Sequence, residues 1–319
     1  MIRIGVIGAG PNGTGNAAGL AKHADRARIV AVADIDPAAG KKLAAAYKAQ
    51  FFTDYHQLLN WVDAVVISTP NDLHAEMAVA AAGAGKHVWI EKPMALSLTQ
   101  ADRIVTAVET AGVKSLVGFS VRFDGVVRRM KEVFASGQLG DLLSIWSRRL
   151  CFFDPADVTP WRLDYTRSGG VMSELIVHEI DWIVDIAGEP RAVYCRKASR
   201  KHDDHRDNDH LWITLDFGKN ATGSIEGSQM SLIADYYRGV VGTKGSAATR
   251  NWGGELFLQT DPQAALKLEP LPAFDKHEHF LDVIEGRCPS VADARYGRKI
   301  VRVSEKAIES AMTGQAMEL

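Results

Sequence analysis

The sequence predicts an α/β protein in two parts: a parallel sheet flanked by helices, then an α+β part built on an open, mostly antiparallel sheet. Three observations carry that reading. Through residue 121, short β-branched runs alternate with helical patterns, the signature of a parallel sheet. Farther on, strand signals follow one another with few helices between them, as in an antiparallel sheet. Between them these halves set a boundary near Arg122, giving domains 1–121 and 122–319. A glycine-rich turn, Gly8-Ala9-Gly10-Pro11-Asn12-Gly13, closes the first strand and opens a helix.

The first half reads in order as strand and helix. IRIGVIG is a strand that stops at glycines, and residues 14–23 have small, helix-compatible character. RIVAVAD is the second strand, with a helix after Pro37; DAVVIST is the third, with HAEMAVAAAGAG as its helix. HVWIEKP is the fourth, SLTQADRIVTAVETAG its helix, and SLVGFSV the fifth. These strands are continuous apolar runs, as expected when helices cover both faces. In the second half GVVRRMKEVFASG is an amphipathic helix, followed by the strand LLSIWSRRLCF. Residues 168–188 form a very apolar helix, residues 191–260 carry repeated strand signals with glycine-bearing turns, and two helices close the chain.

The bulk properties exclude several classes. The 319 residues are 46% hydrophobic and 24% charged, ample for a large core. A net charge of −2 gives no electrostatic reason for a nucleic-acid or membrane partner. Three scattered cysteines, Cys151, Cys195 and Cys288, make neither a disulfide framework nor a thiolate metal site and fit a reducing, cytoplasmic setting. No signal-peptide pattern opens the chain, and no apolar run approaches the ~20 residues of a membrane span.

The glycine turn supplies a tight bend, a close backbone approach and free helix N–H groups for a pyrophosphate. Asp34 ends the next strand 21 positions after Gly13, a spacing that suits hydrogen bonds to an adenosine ribose; a helix N-cap is the competing role. At Lys86–Ala95 an apolar strand ends abruptly in Glu91-Lys92-Pro93. An ammonium there costs desolvation energy unless something uses it. On the helix of residues 168–188, Glu174 and His178 are four apart and Asp181 follows three later, so all three share one face. The run Lys201–His210 offers His202, Asp203, Asp204, His205, Asp207, Asp209 and His210, but no tight ligand spacing repeats, and no metal is expected.

STPNDLHAEMAVAAAGAGKHVWIEKPMA, together with GGVMSELIVHEID, closely resembles the glucose–fructose oxidoreductase, inositol dehydrogenase and MocA family. VGFSVRFD, PWRLD and GTKGS match in order, so the resemblance covers nearly the whole chain. It implies an N-terminal Rossmann domain, a C-terminal domain with an open sheet, and NAD- or NADP-dependent oxidation or reduction of a sugar or polyol carbon. Dimers or tetramers through that sheet are also implied. Lys92 would stand beside the nicotinamide and the reacting oxygen, with a cis bond before Pro93. Burial and the positive nicotinamide ring would then lower its pKa toward that of a usable base. His178 would be the partner acid or base, and Glu174, where the family usually has aspartate, would orient it.

The resemblance also implies cofactor contacts from Thr69, Pro70, Asn71, His74, Glu91, Trp161 and Arg162. Arg122, Asp164, Asp181 and Tyr236 would line the substrate cleft. Asp34, with Asp36 close by and no arginine following, predicts NAD over NADP; Lys41 and Lys42 on the next helix keep NADP open. Two other classes stay open: a glycosidase that holds NAD and uses transient oxidation, and a non-enzymatic sensor on the same fold.

Overall fold

The computed structural model describes residues 1–319 except 155, 157, 158, 200–208, 219 and 273. The chain forms two compact units, one of Met1–Gly118 and Asp275–Val301, the other of Phe119–Phe274 and Arg302–Leu319. The expected single cut near Arg122 thus differs from what is seen, because residues 275–301 return to the first unit.

The first unit holds a six-stranded sheet of β1 (Ile2–Ile7), β2 (Ala27–Ala33), β3 (Gln50–Phe52), β4 (Ala64–Ile67), β5 (His87–Ile90) and β6 (Ser115–Val117). Every pairing is parallel and the order is β3-β2-β1-β4-β5-β6. Sequence reading found five of these strands; β3, three residues long, was missed. The helices are α1 (Pro11–Leu20), α2 (Pro37–Tyr47), α3 (Tyr55–Leu59), α4 (His74–Gly83) and α5 (Leu98–Ala111). β4 and most of β5 are fully buried, which explains their unbroken apolar sequences. The strand order reverses between β1 and β4, so the loops after these two strands flank the crevice where such sheets bind ligands.

The returning segment completes this unit. Ala292 O accepts the Val117 N–H at 2.8 Å. Phe280 meets the fully buried Trp89 ring edge-on at 5.5 Å. Arg26, ahead of β2, binds Asp282 at 2.7 Å and Glu285 at 2.8 Å.

In the second unit the helices are α6 (Gly125–Ala135), α7 (Pro160–Leu163), α8 (Tyr165–Ser168) and α9 (Val177–Ala187). Its sheet contains β7 (Leu142–Phe152), β8 (Ala192–Ala198), β9 (His210–Gly218), β10 (Ala221–Ser228) and β11 (Met230–Gly242). β12 (Gly245–Arg250), β13 (Glu255–Asp261), β14 (Ala264–Leu268) and β15 (Met317–Glu318) complete it. Of the last two helices, α10 (Lys276–Ile284) belongs to the returning segment of the first unit, and α11 (Ala294–Thr313) begins in that segment and ends in the second unit. The order is β14-β13-β12-β11-β7-β10-β9-β8-β15, antiparallel except for the parallel β7–β10 pair. Strand alternation is clear in β9: Leu211, Ile213 and Leu215 are buried, while Trp212, Thr214 and Asp216 face outward. One face therefore carries the core and the other stays open.

The helix expected over residues 168–188 is not continuous. α8 ends at Gly169, whose φ of +74° is the left-handed conformation of a helix C-cap, and Gly170 follows at +63°. Met172–Ile176 then forms a π-helix that runs into α9. Among the described residues no helix is long and apolar enough to cross a membrane.

Candidate active site

In the first unit the glycine loop is shaped by two close approaches. Gly8 has φ +95°, and a Cβ there would come within 2.6 Å of Ser68 O. A Cβ on Gly13 would lie 1.8 Å from Gly8 O. Gly10 differs: its φ is −69° and a Cβ would meet nothing within 4 Å. The protein itself does not require glycine there, and the space suits a group brought close to the backbone. Gly10, Pro11 and Asn12 form an exposed rim. No side chain caps α1, whereas Asp36, Ser97 and Asp124 cap α2, α5 and α6. The helix start is left to a ligand, so the residues present fit a dinucleotide pyrophosphate.

Asp34 follows β2, and its carboxylate accepts the Ala9 N–H at 2.5 Å and the Asp36 N–H at 2.8 Å. The cap of α2 is Asp36, not Asp34. Asp34 therefore sits against the glycine loop.

The loop after β4 carries Thr69, Pro70 and Asn71, and Asn71 is buried. The His74 side chain is fully buried. Its Nδ1 lies 2.8 Å from Pro93 O and its Nε2 3.0 Å from Thr69 O. Burial pushes the His74 imidazole below its usual range, against the pull of those two carbonyls. The residue ties the β4 loop to the turn after β5.

Glu91 is buried and accepts a hydrogen bond from Asn16 Nδ2 at 2.8 Å, while Asn16 Oδ1 accepts Lys276 Nζ at 3.0 Å. Glu91 is thus linked through Asn16 to Lys276. Asn16 was missed; the available signal was a polar residue among the small residues of α1. Lys92 follows, half-buried, and its peptide bond to Pro93 is cis. It stands at the carboxyl end of β5, where residues of parallel sheets meet substrates.

In the second unit, Glu174 lies within the π-helix and meets Arg162 Nη1 at 3.3 Å. Arg162 also packs over Trp161, 5.3 Å from its ring centroid. π-turns often mark functional positions. His178 is buried in the first turn of α9. Asp164, expected to line the cleft, caps α8 instead: it accepts the Thr166 N–H at 2.9 Å and Oγ1 at 2.7 Å.

Arg122 and Asp181 meet each other. Arg122 Nε donates to Asp181 Oδ1 at 2.8 Å and Nη1 to Asp185 at 2.7 Å, with Asp181 fully buried. They build the interior of the unit. Tyr236 is half-buried and lies on two guanidinium groups, 4.3 Å from Arg238 and 5.1 Å from Arg149. Burial pushes its phenol up to about 12. The Lys201–His210 run lies outside the described residues up to 208. Among the described residues no group of three or more His, Cys, Asp or Glu is gathered for a metal.

Residues 2–119 match the model of an oxidoreductase family with an NAD-binding Rossmann fold, and residues 127–248 match that family's C-terminal domain. The chain belongs to the Gfo/Idh/MocA oxidoreductase family. It is an NAD-binding enzyme. The myo-inositol 2-dehydrogenase of Thermotoga maritima is 32% identical over 273 residues, 82% of this chain and 79% of that one. The 2,7-anhydro-N-acetylneuraminate hydratase of Escherichia coli is 30% identical over 77% of this chain and 67% of its own. The fold is also that of the WlbA dehydrogenase from Bordetella pertussis, solved with NADH and UDP-GlcNAcA: the TM-score is 0.89 at 24% identity, covering 100% of this chain and 97% of that one. A family oxidoreductase is what this chain is, which removes the sensor reading.

Proposed function

We propose that this Gfo/Idh/MocA oxidoreductase oxidises or reduces a carbinol or carbonyl carbon of a sugar, polyol or related cyclic alcohol. The observation that carries the reading is Lys92: a lysine that ends a buried apolar strand at the sheet's carboxyl edge. The inositol 2-dehydrogenase relative supports the substrate class. Bound NAD supplies the acceptor for a hydride, or its donor in the reverse direction. Lys92, as a neutral amine, accepts the hydroxyl proton, and as an ammonium it returns the proton to a carbonyl oxygen. His178 shares that proton transfer or polarises the same oxygen. Glu174, held by Arg162, sets the charge near it. Thr69, Pro70 and Asn71 in the first unit, and Trp161 and Arg162 in the second, are the cofactor contacts of this reading.

The test is a panel of sugars and polyols offered to the purified protein with NAD and with NADP, read as reduced-nicotinamide absorbance. A substrate-dependent rise supports the reading, and no rise across the panel in either direction overturns it. The hydratase relative favours a second reading, in which a transient oxidation assists elimination. Tightly retained NAD, a cleaved or hydrated product and no net NADH would distinguish it.

NAD is the preferred cofactor in this reading. Asp34 holds a carboxylate beside the glycine loop, where a 2′-phosphate would be repelled. Asp34→Ala is expected to narrow the NAD-to-NADP ratio of kcat/KM by about tenfold, equivalent to about 1.4 kcal/mol. A parent enzyme that prefers NADP would refute the assignment. A dimer or tetramer through the open sheet face, which presents Tyr194 and Trp212, is the proposed assembly.

A further inference from the structure

Glu179, the residue after His178 on α9, has no exposed surface. Three side chains from the sheet converge on its carboxylate with four donor atoms. Arg238 on β11 grips it with Nε on Oε2 and Nη2 on Oε1, both at 3.0 Å. Arg149 Nη1 on β7 reaches Oε1 at 3.1 Å, and Ser147 Oγ, also on β7, donates to Oε2. Arg238 is itself fixed: its N–H donates to Thr249 Oγ1 at 2.9 Å, and its guanidinium faces Trp182 at 5.6 Å and Tyr236 at 4.3 Å. Burial alone raises the Glu179 carboxyl, but Arg238 and Arg149 more than offset this and hold it below the ordinary range.

Such a cluster is poor value as stability, because desolvating the charges consumes most of their attraction. What it supplies is direction. Apolar neighbours such as Ile180, Ile183 and Val184 tolerate small rotations of a helix on a sheet, whereas a bidentate arginine accepts one setting. The need is acute here, since the π-helix just before α9 changes the number of residues per turn next to His178. Consecutive residues of a helix are about 100° apart, so fixing Glu179 fixes where His178 points.

We propose that Glu179 is a positioning residue, which sets the rotation of α9 on the sheet through Arg238, Arg149 and Ser147 and thereby the orientation of the His178 ring. The proposal rests on the assignment of His178 to the reaction. Glu179→Gln in the full-length protein keeps the shape and removes the charge. Turnover is expected to fall by about 10²-fold, the scale of a misplacement near 1 Å. The dissociation constant for NAD, read from tryptophan fluorescence, is expected to stay within about twofold, because the glycine cradle is untouched. The Cε1–H resonance of His178, identified by its loss in His178→Gln, is expected to broaden or split. Folded Glu179→Gln with parental kcat overturns the proposal, and so does a kcat loss with an unchanged His178 resonance. If Glu179→Gln does not fold, Ser147→Ala and Arg149→Lys each remove or loosen one bond, and parental kcat and an unchanged resonance in both overturn it equally. A His178→Ala variant with parental turnover would remove the catalytic assignment instead, while the resonance still reports whether Glu179 orients the ring.

Discussion

Lys92→Ala is expected to bind NAD as the parent does and to lose turnover by ~10²–10⁴-fold, the usual contribution of a general acid–base group. The two halves of that result have separate causes. In the proposed site Gly8, Gly10, Gly13 and Asp34 make the dinucleotide cradle without Lys92, so removing the amine would leave the cofactor's phosphates and ribose their partners. The proton of the substrate hydroxyl, by contrast, loses its acceptor. Lys92→Arg is expected to fail as badly as Lys92→Ala, because a guanidinium keeps its proton and cannot serve as the base. Steady-state kcat on the substrate found in the panel, beside a direct NAD titration, checks both halves. Parental turnover in Lys92→Ala would remove the assignment.

Arg122→Met is expected to lower unfolding stability by about 3–5 kcal/mol, as when one partner of a buried ion pair is removed. Asp181 has no exposed side-chain surface, and its partner's side chain is only 6% exposed, so a carboxylate that loses this guanidinium has no route to water. Asp185 is better placed, since Lys131 also reaches it at 2.7 Å. The double change Arg122→Met with Asp181→Leu is expected to recover most of the loss, because it removes both charges and leaves apolar volume. Urea unfolding of parent, single and double variants checks this. If Arg122 instead held substrate, the single variant would keep its stability and raise KM.

Local signals were legible in the sequence, and distant partnerships were not. The alternation of strand and helix and the glycine turn are written within a few tens of residues of one another and appear where expected, and Asp34 follows β2 against that turn. Lys92 stood out because a charge at the end of Val88-Trp89-Ile90 contradicts its surroundings. Glu91 carries the same contradiction, and the partner that the fold gives it, Asn16, lies 75 residues earlier. Arg122 and Asp181 read as two polar residues in cleft-like segments; that they neutralise each other across 59 residues is a property of the packed unit. Glu179 was hidden beside the stronger acid-xxx-His pattern, and the arginines that hold it come from β7 and β11. β3 is too short, at three residues, to show a period.

The return of Asp275–Val301 to the first unit has a consequence for biosynthesis. Nascent domains generally mature from the N-terminus onward as they leave the ribosome. Here Met1–Gly118 emerges first yet waits for a late segment to shield Trp89 and to give Val117 its carbonyl partner. The cofactor-binding unit therefore completes only once residue 301 has been translated, and a gene fragment ending at Gly118 would lack these partners of Trp89 and Val117.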